Sequence, residues 1–590
     1  MVSFPINRYF PLAAVFLAVT GMGAGHAQQP SAGLRTADAD YRDGVSALNH
    51  GDLTTARRLF AEVVRLAPAA EQGHSALGAV LVRQGQLAEG IRELQKALAI
   101  KPADQSAQEN LALAFLQTGS PAKALPYFAR LDSAARAGNR QLAPTLLEAW
   151  ARAEAASGAT DSALAHLQQA VAKQPAVPAW RDELGSFYGA RRQWPQAERE
   201  FSAAIHANPD YAIAHFHLGT VLLAEQKPGA AEQLLQAAQL APGDAVLALS
   251  VGRTLAQAGD DEHALPLLEQ AHRLNHDSLA ASYELAIVKQ RAGQLDQAVA
   301  LLQPVVAAQP ANVDALINLG MAYTQLQQAK SAIPLLLHAI ALQPGNAMAH
   351  QDLAAAYIQL NQVEDAVTEL KAALALQPDS PQLHYNLGLA YKMEDDAQSA
   401  IPQLETAAKQ DQNAWEPRYV LGLLYMQVAR YSEAATQLEA SLKLHPDNGE
   451  GWATLGSVYN KMDRPADAIT ALREAVRQLP NQADPHLTLA TVLARQNQPA
   501  EAAAERKFAA ALMRDHMNQQ RAEVATNSGK SLLAAGKLDD AITEFRNAIG
   551  FDPSYLQAHE GLAETLEKQG KTSEAQTERA QIQALRTKSN

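Results

Sequence analysis

Three stretches of the chain carry residue types that could do chemistry. Asn527-Ser528-Gly529-Lys530-Ser531 has the Gly-Lys-Ser ending of a phosphate-cradling loop, in which backbone N–H groups and a lysine hold the anion. That loop needs a glycine five residues before Gly529, and position 524 is Val. Asp38, Asp40 and Asp43, just ahead of Gly44, offer oxygen ligands to a hard cation, but the spacing is not that of a calcium loop and no glutamate closes it. His215 and His217 form an H-x-H pair, and residues two apart on a helix point to different faces. His215 also shares its place with His350, His384 and His486, each four residues before a glycine or alanine, which marks packing rather than metal ligation. No H-E-x-x-H, G-x-S-x-G or glycine-rich dinucleotide loop occurs. The absence of cysteine removes disulfides, thiolate metal sites and a cysteine nucleophile. The expectation is a non-enzyme with no cofactor and no metal.

The elements that would position such groups are written as a period. Residues 319–344 (LGMAYTQLQQAKSAIPLLLHAIALQP) return 34 positions later as residues 353–378 (LAAAYIQLNQVEDAVTELKAALALQP). Aligned on one small residue, the series runs Gly44, Gly78, Ala112, Ala151, Gly185, Gly219, Gly252, Ala286, Gly320, Ala354, Gly388, Gly422, Gly456, Ala490, Gly529, Ala563. Most steps are 34, one is 33, and the steps from 112 to 151 and from 490 to 529 are 39. A second small residue follows each by 12 positions, always alanine except Gly90. Leu before the first small residue and Tyr three after it (Tyr188, Tyr323, Tyr357, Tyr391, Tyr425, Tyr459) make one apolar stripe of a helix. Paired small residues let two helices approach closely, where a larger side chain would overpack. Glycines seven after the first small residue (Gly51, Gly85, Gly119, Gly158, Gly259, Gly293, Gly536, Gly570) suit left-handed helix C-termini, and a proline closes many units. A helix hairpin of this kind cannot bury both faces alone, so neighbours must stack on it and the pattern must recur.

This pattern resembles the tetratricopeptide repeat family over about residues 38–580. The resemblance implies an all-α, right-handed α-solenoid of about sixteen 34-residue helix-turn-helix units, with a concave groove lined by the first helices. The expected organisation is a signal peptide at 1–27, a short disordered linker at 28–37, units 1–3 at 38–141, units 4–14 at 142–514, and units 15–16 with a C-terminal capping helix at 515–590. The two 39-residue steps suggest longer helices or loops near 131–143 and 509–522.

The chain is acidic, with a formal charge of −13 and no basic stripe evident in the repeats, which argues against a nucleic-acid partner. Residues 1–27 read as a secretory leader: Arg8 precedes the apolar run Pro11–Ala24, and Gly25-His26-Ala27 supplies small residues for cleavage after Ala27. No later apolar run is long enough for membrane insertion of the mature chain, so a periplasmic or extracellular protein is expected. If the resemblance holds, positions three before and one after the small residue face the groove. In units 8–12 these include Tyr283, Ile287, Ile317, Met321, Tyr385, Leu389, Tyr419 and Leu423, an apolar track, whereas units 3–5 carry Glu109, Glu148 and Asp182. The same side chains could instead pack between neighbouring first helices. Asn318 and Asn386 occupy a position like that of the asparagine in a clamp for a C-terminal carboxylate, but the lysines such a clamp needs are missing from the stripe. The expected activity is that of an adaptor binding a protein or peptide segment, chiefly apolar. A scaffold of a polysaccharide-export machine is the first alternative; a repeat-bearing protein O-glycosyltransferase is the second, and it would need a catalytic domain that the repeats leave no room for. N-terminal sequencing of the exported protein should return Gln28 first; an intact Met1 in the cytoplasm would contradict the leader.

Overall fold

The computed structural model describes residues 32–588, so the leader at 1–27 lies outside the described residues. The described residues form 31 α-helices and no strand, and no helix among them is long and apolar enough to cross a membrane. They resolve into sixteen hairpins because one helix, Pro499–Ala534, serves two of them. The chain forms two compact units, divided between Leu301 and Leu302.

One hairpin shows how the sequence builds the rest. Ala347–Gln359 is capped by Asn346, whose side chain accepts from the Ala349 N–H. It ends where Asn361 takes φ 58, with the Asn361 and Gln362 N–H groups donating back to the Ile358 and Tyr357 carbonyls. Val363–Leu376 then returns along it, and Ala354 and Ala366 meet with no exposure at all. The left-handed residue recurs in all sixteen hairpins at the position seven after the small residue. Eight are the expected glycines; the others are Arg192, Gln226, Gln327, Asn361, Asp395, Ala429, Asp463 and Asn497. The turn geometry therefore holds even where the residue type works against it.

Where the pair opens with glycine, the second helix fills the space. A Cβ built on Gly388 would lie 2.6 Å from Leu404 Cγ, and one on Gly320 would lie 2.7 Å from Leu336 Cγ. Leu404 and Leu336 are fully buried. Pro126, Pro266, Pro334 and Pro402 sit at the sixth residue of their helices, one turn deeper than an N-terminal position, so each forgoes a backbone bond.

The two long steps have different causes. After Ala112 the second helix is extended to Pro121–Ala137 and followed by an irregular connection to Pro144. After Ala490 the second helix of unit 14 runs straight into the first helix of unit 15, giving the 36-residue Pro499–Ala534. The division expected at 514/515 therefore falls inside a helix: no glycine or proline interrupts the stretch between Ala500 and Gln520, and the cap-type residues Asp515 and Asn518 lie within the helix without ending it. The linker expected at 28–37 is helical from Ala32 onward, as the start of Ala32–Asn49. The expected capping helix is Thr572–Lys588, the second helix of unit 16 itself.

Ala429 is exposed and left-handed, so its Cβ strains the turn and makes no compensating contact. Ala429→Gly should raise the unfolding free energy by about 1 kcal/mol, read from urea melts; a decrease would contradict the turn geometry.

Candidate protein-binding groove

First helices of successive repeats pack side by side within each unit. Gln359 Nε2 donates 2.6 Å to the Thr324 carbonyl, joining Val313–Gln325 to Ala347–Gln359, and Glu416–Gln427 packs against Gly449–Lys461. The contacts that skip a helix join first helices, which makes theirs the tighter layer.

In the second unit the predicted groove residues divide. Ile317 is buried at 3 % exposure with Leu316, Ala339 and Ala349. It is core and not accessible to a partner, because the pairing of Val313–Gln325 with the next hairpin closes over it. Met321, Tyr385, Leu389, Tyr419 and Leu423 are half-buried. Tyr385 and Leu389 lie one turn apart on Pro381–Met393, and Tyr419 and Leu423 likewise on Glu416–Gln427. Tyr385, Leu389 and Tyr419 rest on the core cluster that contains Leu421 and Leu424. Between Met321 and this patch the corresponding positions are Gln351 and exposed Ala355, so the apolar track is interrupted. Burial, and secondarily the nearby Glu416, raises the Tyr385 phenol above its ordinary range. Asn318 donates to the Asp314 carbonyl and Asn386 accepts from Gln382, both within their own helices.

In the first unit Tyr283 and Ile287 are half-buried on Leu279–Arg291. Further toward the N-terminus the same layer is acidic. Glu148 is buried and accepts from Arg152 at 3.2 Å; Asp182 and His217 form a buried pair, Oδ1 to Nδ1, at 2.7 Å.

Sequence reasoning passed over Glu183 and Asp352, which stand two before the small residue, on the line that holds Asn318 and Asn386. Burial, then the field of Glu148, lifts the Glu183 carboxyl to about 8. Burial lifts Asp352 to about 7, and its Oδ2 has no hydrogen-bond partner. A polar residue on a line adjoining the core stripe was the available signal.

The three stretches that carry chemically capable residue types are occupied otherwise. Asn527–Ser531 lies within Pro499–Ala534 rather than in a loop; Gly529 packs on Phe545, and Lys530 Nζ donates to Gln557. Asp38, Asp40 and Asp43 are on Ala32–Asn49, with Asp38 paired to Arg42. Among the described residues no group of three or more His, Asp or Glu side chains could hold a metal. His215, His350, His384 and His486 are staples. Each places Nε2 2.9–3.3 Å from the carbonyl of the proline six residues earlier and Nδ1 2.5–2.8 Å from a Glu or Gln of the second helix. His74 and His559 do the same, unremarked by the sequence reading.

Stacked helix hairpins joined by left-handed turns, with small residues at every crossing, define an all-α repeat protein. The chain belongs to the tetratricopeptide repeat family. Residues 41–104, 75–140, 183–245, 283–347, 419–483 and 454–512 match the family described as Tetratricopeptide repeat, together more than half the chain, and residues 354–394 and 529–570 match the family described as TPR repeat. No curated protein matches the chain. Among solved structures it is similar to MamA 41-end from Desulfovibrio magneticus RS-1 (24% identity over 28% of this chain and 95% of that one, TM-score 0.27). It is also similar to the APC/C hetero-tetramer Cut9-Hcn1 (14% identity, 90% and 96% covered, TM-score 0.28) and to YrrB, titled a TPR protein with an unusual peptide-binding site (20% identity, 34% and 99% covered, TM-score 0.28).

Between its ordinary 4.5 and about 8, folded Glu183 keeps a proton that the unfolded chain has released, so its contribution to stability falls as pH rises through that window. Asp352 acts in the same sense between 3.8 and about 7. Urea melts across these windows should show a shallower loss of stability with pH for Glu183→Gln and Asp352→Asn than for the wild type. Unchanged slopes would mean that neither carboxyl is protonated in the fold.

Proposed function

We propose that the protein is a non-catalytic scaffold that holds a protein or peptide segment against the first-helix layer of its second unit, and that it works after export, in the periplasm or cell envelope. The observation that carries the reading is the patch of Tyr385, Leu389, Tyr419 and Leu423: four half-buried apolar side chains, in two i,i+4 pairs, on neighbouring first helices. Aromatic and large apolar side chains held on a rigid layer are what an interface anchors on. An apolar segment, extended or helical, fits such a strip better than an acidic C-terminus, since the strip carries no lysine. Export is supported by the composition of residues 1–27 alone.

Partners are to be captured by cross-linking in the native cell and identified by mass spectrometry. Because Tyr385, Leu389 and Tyr419 also support the core cluster, the discriminating change is Leu423→Ala, whose side chain stands outside it. Truncating an anchor costs roughly 2 kcal/mol of binding, about thirtyfold in affinity. Capture should fall accordingly while the melting temperature barely moves. Gly388→Leu should do the reverse, since even a Cβ there meets Leu404 at 2.6 Å; overpacking costs about 1–3 kcal/mol of stability. Undiminished capture by Leu423→Ala would place the partner elsewhere.

A further inference from the structure

The helix Pro499–Ala534 changes packing partners along its length, and this leaves one face unused throughout. Its first turns bury Ala502 and Ala509, and its last turns bury Ala522, Ala525, Thr526 and Gly529, which lie on a different side of the helix. A third face runs past both. Ala503, Arg506, Ala510, Met513, Met517, Gln520 and Val524 are all exposed, Val524 at 71 %. Their spacing alternates three and four residues without a break, which is the seam along which one helix packs on another. Lys507, Arg514 and Arg521 stand seven apart along one flank of that seam, also exposed. Among the described residues, none of these three nor Arg506 forms an ion pair with a carboxylate; Arg521 lies over the Phe551 ring at 5.7 Å. In a chain of net charge −13 this flank is basic; of the exposed acidic residues on the same stretch, Asp515 lies away from the seam and Glu523 borders it on the opposite flank.

We propose that this face docks an acidic amphipathic helix of a partner protein. The partner's apolar side chains lie on Ala510, Met513, Met517 and Val524, and its carboxylates meet Lys507, Arg514 and Arg521. Methionine suits this, because its flexible thioether adapts to different partners. Charge rules out the obvious rival. A second copy paired antiparallel would set Lys507 against Arg521 and Arg514 against Arg514, and a parallel copy would stack Arg506 on Arg506 within the seam. A membrane surface is served poorly, because the seam carries no aromatic or leucine side chain to insert. The surface is separate from the first-helix patch and does not rest on the function proposed above.

The test uses the full chain and two labelled synthetic helices of about four heptads, with Leu along the seam and either Glu or Lys at every flanking position. Fluorescence anisotropy should show the Glu-flanked helix binding at least about tenfold more tightly than the Lys-flanked one, with the gap narrowing as salt is added. Lys507→Glu, Arg514→Glu and Arg521→Glu together should invert the preference at unchanged helix content, and Leu423→Ala should leave it alone. Equal binding of the two helices, or a preference that survives the triple reversal, would overturn the proposal. So would binding to phosphatidylglycerol vesicles without binding to the acidic helix, or self-association of the chain that Met513→Asp abolishes.

Discussion

The close approach of two helices at a pair of small residues is the constraint on which the rest of the molecule depends. In each glycine-opened hairpin the glycine faces a fully buried Leu or Phe of the second helix: Gly388 faces Leu404, Gly456 faces Leu472, Gly185 faces Phe201 and Gly529 faces Phe545, in each case with less than 3.0 Å for an added Cβ. Close packing of this kind leaves no room to spare, so a methyl group is felt. Stacking then follows, since a hairpin locked on itself still has apolar flanks to cover. The histidine staples work at the same joints. They tie the loop proline to the second helix, which fixes where each first helix begins.

Once that crossing is fixed, the side chains three before and one after it are committed to the first-helix layer, whatever their chemistry. The layer is acidic around Glu148, Asp182 and Glu183 and apolar around Tyr385, Leu389, Tyr419 and Leu423. The repeat is indifferent to this difference, because none of these positions takes part in the small-residue contact. That freedom is how one architecture can present different surfaces along its length. The interruption at Gln351, Asp352 and Ala355 shows how sharply the surface changes between adjacent hairpins of identical backbone.

Much of the fold was legible because the sequence repeats its own constraints. Small residues twelve apart, glycine in the left-handed turn and proline in the loop each have a single backbone explanation, and sixteen copies make the phase plain. What was hidden lay where a residue type does not betray its geometry. Ala429 and Gln327 adopt the left-handed turn without looking like turn residues. The fused helix Pro499–Ala534 has no positive sequence mark other than missing breakers. The groove was only partly legible: Ile317 and Met321 have the same character on paper, yet one is core and the other half-exposed, because burial depends on how far the next hairpin closes over the layer. Glu183 and Asp352 are marked only as polar residues on a line adjoining the core stripe; how far burial raises their carboxyls is not written there.

The central claim is that the apolar first-helix patch of the second unit, and not the exposed side of the second helices behind it, meets the captured partner. A photoreactive amino acid placed in living cells at Leu423, and separately at Thr436 on the exposed side of the following second helix, tests this directly. The account predicts that irradiation gives a discrete cross-linked species from position 423 and none from position 436. The same species from both positions, or from 436 alone, would contradict it.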